Sequence, residues 1–180
     1  MRFTDIPRFT SDGKYSIDVP LSYLERTLAD YREVYNLELN PDFQRGNVWT
    51  VVQQVRWLEF FFKGGNSANI IRFNCPEFQG MGQYRELPVG EIRESHMVCV
   101  DGLQRLTAML AFLNNKVKIF GIYFKDFEDK PGLNYSLRFN INGLQTRREV
   151  LQWYLDINSG GTVHTQKELE RVRKLIAELK

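Results

Sequence analysis

The chain has 180 residues, 43% of them hydrophobic and 26% charged, enough to bury one sizeable core, and a single domain spanning 1–180 is expected. Its 24 basic and 22 acidic side chains nearly cancel, so no global charge excess dictates a nucleic-acid or membrane partner. No run approaches the ~18 apolar residues of a membrane span, and the N-terminus does not open as a signal peptide, so a cytoplasmic protein without a membrane partner is expected.

In chain order, residues 15–20 read as a strand, 21–35 and 51–63 as helices, and 69–75 and 97–100 as strands. A helix over 103–114, strands over 118–124 and 135–141, and helices over 147–158 and 166–179 follow. The strands are rich in Ile, Val, Phe and Tyr and several are bounded by Pro, Gly or Asn, whereas the helices carry apolar stripes at helical spacing. The class is therefore mixed α/β, a small mixed sheet flanked by helices. Three helix starts carry a reciprocal cap signal: Thr50 with Gln53, Thr165 with Glu168 and, by analogy, Asp101 with Gln104. Lys63 before Gly64-Gly65 marks a clean stop. Residues 80–94 and 125–134 read as surface loops, and the last helix presents a stripe suited to docking on the domain or on a second chain.

Cysteine and histidine usage narrows the chemistry. Cys75 and Cys99 form no close pair, so neither a zinc ribbon nor a disulfide framework is expected, and both read as buried thiols. His96 and His164 lack metal-ligand spacing and read as surface or capping residues, which leaves a histidine-based nuclease little to work with.

The stretch VCVDGLQRLTAML, residues 98–110, changes from strand-like to helical spacing at Asp101-Gly102. Leu103, Leu106, Leu110 and Leu113 share one helical face, and the opposite side is largely apolar as well, so the helix is expected to be buried. Arg105 then stands in the first turn, where the partial positive charge of a helix N-terminus disfavours a cation by ~0.3–1 kcal/mol. Something negative should compensate: either Asp101 or a ligand anion. A strand, an Asp-Gly turn and a helix start also aim backbone N–H groups at one point, an arrangement suited to phosphate, to which arginine would add a bidentate grip.

Two further polar stretches stand out. In NPDFQRGNVWT, residues 40–50, Gln44 and Arg45 fall on a short connection before Trp49 and a capped helix, and the Gln-Arg pair recurs as Gln104-Arg105. In DINSGGTVHTQKE, residues 156–168, Asn158, Gly160 and Gly161 form a polar glycine link that can either turn between two helices or let backbone approach a ligand.

Taken in order, PDFQRGNVW, VCVDGLQRLTAML and the Asn-x-Gly-Gly link followed by TQKEL resemble the bacterial and phage family named for the N-terminal domain of GmrSD-type modification-dependent restriction enzymes. The resemblance covers residues 15–179 and implies a ParB/sulfiredoxin-like fold with a nucleotide site where the motifs converge. The family's Asp-Gly-Gln-Gln-Arg signature is associated with binding and hydrolysing nucleoside triphosphates. It carries over to Asp101, Gly102, Gln104 and Arg105, with Leu103 departing from the usual glutamine; Gln44, Arg45, Asn158, Gly160 and Gly161 follow from the flanking motifs. Leu103 and Gln104 stand where sulfiredoxin-like relatives place a reactive cysteine and a histidine, which excludes thiol-based repair.

The resemblance thus implies a nucleoside-triphosphate-binding and hydrolysing module in DNA restriction, defence or processing. Arg45 and Arg105 would hold phosphates, Asp101 would bind Mg²⁺, and Gln104 would orient a water. Larger family members carry a separate nuclease domain; this chain ends after its last helix, so a nuclease partner subunit is one expectation. Two other readings stay open. One is a stand-alone metal-dependent DNA endonuclease or nickase, guided on DNA by Arg147, Arg148, Arg171, Arg173 and Lys174. The other is a non-enzymatic partner-binding domain.

Overall fold

The computed structural model describes residues 2–65, 69–80, 85–87, 89–129, 134–159 and 166–179, with the side chains of 166–168 excepted. Four strands, β1 (Tyr15–Pro20), β2 (Ile70–Asn74), β3 (Val98–Asp101) and β4 (Ser136–Asn142), form one sheet in the order β1-β4-β2-β3. The β2–β4 pair is parallel and the other two are antiparallel, so the sheet is mixed. Helices α1 (Leu24–Tyr35), α2 (Val51–Phe62), α3 (Leu103–Leu113), α4 (Arg147–Asn158) and α5 (Gln166–Glu178) complete the mixed α/β fold. Among the described residues no helix is long and apolar enough to cross a membrane.

Alternation along the strands divides the sheet into two unlike faces. Ile71, Phe73, Cys99, Leu137 and Phe139 point to one side and are fully buried in the main core with residues of α1, α2 and α3. The other side carries Arg72, Asn74, Arg138 and Asn140 at the intervening positions. Its β3 end is apolar, where Val98 and Val100 join Trp153, Tyr154, Leu169 and Val172 in a second core under α4 and α5.

Local chemistry sets the helix boundaries. Thr50 and Gln53 form the expected capping box on α2. At its other end Gly64, at φ 92°, closes the helix, with Gly64 N–H donating to Phe61 O and Gly65 N–H to Phe60 O. A second capping box, Thr146 with Glu149, starts α4. The Thr165 and Glu168 pair lies outside the described residues.

Two expectations are corrected. Residues 118–124 are not a strand: Phe120 and Gly121 both take positive φ (49° and 80°), and Ile119 and Ile122 pair across this two-residue turn. The apolar run hid a turn whose second position suits glycine. Asp101 and Gln104 also do not cap α3, because Gly102 is the N-cap residue and no side chain caps the helix. Both side chains are engaged elsewhere.

Candidate anion-binding pocket

A cavity of about 340 Å³ opens where β3 passes into α3. The Asp101–Arg105 turn, Gln44 and Arg45 of the α1–α2 connection, and Asn158 at the end of α4 all line it. Trp49, Trp57, Leu103, Tyr154 and Ile157 supply its apolar wall. Three stretches far apart in the sequence thus meet at one place; Gly160 and Gly161 lie outside the described residues.

The turn strongly favours glycine at 102. Its φ is +99°, and a Cβ there would come within 2.7 Å of the Ile71 side chain and 3.1 Å of the Ile71 Cα. α3 is thereby seated tightly on β2, and its first N–H groups start without a side-chain cap. Such a helix start favours negative charge.

The two Gln-Arg pairs clasp one another. Gln44 Nε2 donates to the carbonyls of Cys99 (3.1 Å) and Val100 (2.8 Å), tying the connection to the open edge of β3. In return Gln104 Oε1 accepts from the N–H groups of Val48 (2.9 Å) and Trp49 (3.0 Å), and its Nε2 donates to the Gly46 carbonyl. Each glutamine holds the backbone of the other's segment, and each is followed by an arginine that lines the cavity. Both ends of the Gln104 amide, expected to orient a water, are engaged with backbone. Asn158 is engaged as well, donating from Nδ2 to the Tyr154 carbonyl at 2.7 Å.

Arg105 finds its compensation inside the protein. One of its terminal N–H groups donates to Asp101 Oδ2 at 2.7 Å, four residues back, so the first-turn cation is balanced by a carboxylate rather than requiring an external anion. The same oxygen accepts from Arg72 at 3.2 Å, and Arg72 in turn makes a two-pronged pair with Asp12, Nε to Oδ1 at 2.8 Å and a terminal nitrogen to Oδ2 at 3.1 Å. A β-bulge arranges this. The register shifts between Arg72 and Phe73, so Asp101 stands opposite Arg72, although strict alternation from Cys99 would turn it toward the apolar face. Burial opposes the Arg72 charge, and Asp12 and Asp101 more than offset it, holding its pKa above the usual arginine value.

The donor set does not fit a protein-held Mg²⁺. Among the described residues Asp101 is the only carboxylate lining the cavity, and it already receives two guanidinium groups on one oxygen. No group of three or more His, Cys, Asp or Glu side chains comes together among the described residues. The two guanidinium neighbours of Asp101 offset the charge that would draw a cation to it.

Three of the arginines that a DNA-guiding patch would use, Arg147, Arg148 and Arg171, are also engaged. Arg147 pairs with Asp42, and Arg171 donates to the Asp42 carbonyl. Arg148 pairs with Glu91 at 2.8 Å and donates to the carbonyls of Ile176 and Leu179, where it closes the C-terminal end of α5. Neither cysteine is poised for chemistry, since burial pushes the Cys75 thiol up to about 11 and the fully enclosed Cys99 higher still.

Sequence reasoning missed Arg72, Asp12 and the aromatic wall. Arg72 is the one cation in an otherwise strand-like apolar run, a signal that was present. Nothing local tied Asp12, Trp57 or Tyr154 to the site. The Trp57 indole N–H is buried and has no hydrogen-bond partner among the described residues. Comparisons of the chain with family models, with curated proteins and with solved structures returned no match.

Proposed function

We propose that this pocket binds the phosphate chain of a nucleotide, and that the chain is a nucleotide-binding module of DNA restriction, defence or processing. One observation carries the binding reading: two separate Gln-Arg pairs lock their backbones together and bring both arginines to one cavity at an uncapped helix start. Arg45 and Arg105 both line the cavity, and the helix start adds partial positive charge. Trp49 and Tyr154 give the same cavity an aromatic surface of the kind on which a base can stack. The restriction context rests on the motif resemblance alone.

The geometry supports binding better than hydrolysis, because Asp101 and Gln104, the groups a hydrolytic step would use, are both engaged in internal contacts. Thermal unfolding with ATP, GTP, CTP and UTP, each with Mg²⁺, tests the reading. Stabilisation by one or more of them that disappears in Arg105→Ala is expected. Wild-type unfolding that shifts with none of the four would refute it.

A further inference from the structure

The same pocket holds its own anion. Asp101 sits four residues before Arg105 on a rigid turn and offers a carboxylate oxygen to that guanidinium at 2.7 Å, within the range of a charge-assisted hydrogen bond. Any phosphate that takes Arg105 must therefore compete with a tethered group that needs no encounter in solution to rebind.

Arg72 bears on the outcome without lining the cavity. It shares Asp101 Oδ2 with Arg105, at 3.2 Å, and is itself fixed by the two-pronged contact with Asp12. Arg105, Asp101, Arg72 and Asp12 thus form a line of alternating charge from the pocket to the segment before β1. When a phosphate takes Arg105, Asp101 keeps a cationic partner in Arg72, so the carboxylate is not stranded in a part-buried position.

Resting on the nucleotide-pocket reading, we propose that Asp101 is a built-in competitor for Arg105 that holds phosphate binding in check, and that Arg72 is the positioning residue that draws Asp101 aside. This assigns Asp101 a role opposite to that of a metal ligand. Removing its charge strengthens anion binding, whereas loss of a metal ligand would weaken it.

The test is calorimetric titration of the full chain with inorganic triphosphate, pyrophosphate and orthophosphate, without metal. Wild type is expected to bind triphosphate with a steep loss of affinity as phosphates are removed. Asp101→Asn is expected to bind triphosphate roughly tenfold tighter, the scale of one charge-assisted hydrogen bond. Weaker or unchanged triphosphate binding in Asp101→Asn would overturn the proposal while leaving the pocket reading intact. Absence of binding by any of the three to both proteins would remove the pocket reading and this inference with it.

Arg72 supplies an independent arm. Arg72→Gln should weaken triphosphate binding several-fold when Asp101 is present and leave it unchanged in the Asp101→Asn background, with Arg72→Lys recovering part of the loss. Equal losses in both backgrounds would mean that Arg72 acts only through general charge. If Asp101→Asn does not fold, Asp101→Ser takes its place in both arms, and triphosphate binding no tighter than that of wild type overturns the competition.

Discussion

The two faces of the sheet divide the work of this molecule. On one, Ile71, Phe73, Leu137 and Phe139 are removed from water entirely and stabilise the fold by burial. On the other, the residues between them, Arg72, Asn74, Arg138 and Asn140, meet only polar partners: Arg138 pairs with Asp18 at 2.8 Å, and Asn140 exchanges hydrogen bonds with the Gly13 backbone at 2.9 Å. The charged line that reaches the pocket starts on this second face and crosses to α3 through the bulge at Asp101. Neighbours in sequence therefore differ in what their loss should do. A change on the apolar face should cost stability, and one along the charged line should alter ligand affinity more than folding.

Phe139→Ala should give the largest effect, a loss of ~3–5 kcal/mol in denaturant unfolding, from the cavity left in a core with no access to solvent. Gly102→Ala joins the two faces, since it forces a side chain into a left-handed turn against Ile71; a loss of roughly 1–3 kcal/mol is expected. If Gly102→Ala proved neutral, the tight seat of α3 on β2 would be wrong. Arg105→Ala should cost little stability yet weaken nucleotide binding by roughly tenfold or more, as loss of a charge-assisted contact would. A loss of folding comparable to that of Phe139→Ala would show that the charged line is structural after all.

The smallest effect concerns pH. Glu149 is partly desolvated, which opposes its charge, but N–H groups of Thr146 and Gln145 and the nearby Arg85 outweigh that and hold its carboxyl below the usual range. A depressed folded-state pKa means that this cap contributes fully at neutral pH and is lost as the pH falls through the folded-state value. Glu149→Gln should accordingly flatten the acid side of the stability profile, measured by urea unfolding from neutral pH down through and below the ordinary glutamate value of 4.5. An unchanged profile would contradict the role given to this cap.

Much of the fold was legible because local signals agreed with the packing. The Thr50 cap and Gly64-Gly65 stop bounded α2, and alternating apolar residues marked β2 and β4. The 118–124 stretch misled because Ile119, Ile122 and Phe124 share strand-like composition, while the decisive feature was the backbone preference of a single glycine, Gly121. At the site, the recurrence of Gln-Arg pointed to the right pairs but not to their division of labour. That Gln104 would hold the Gly46–Trp49 backbone instead of a water depends on contacts 55 to 58 residues away in the chain, which no local pattern encodes. Arg105 posed the question of a missing anion, and a bulge in β3, invisible in composition, supplied Asp101 as the answer.

The most direct measurement is a crystal structure of the chain with the nucleotide that stabilises it best. The account predicts phosphate oxygens at the N–H groups of residues 103–105, between Arg45 and Arg105, with Asp101 turned toward Arg72 and both glutamine clasps intact. Phosphates bound elsewhere, or seated here with the Asp101–Arg105 pair undisturbed, would contradict it.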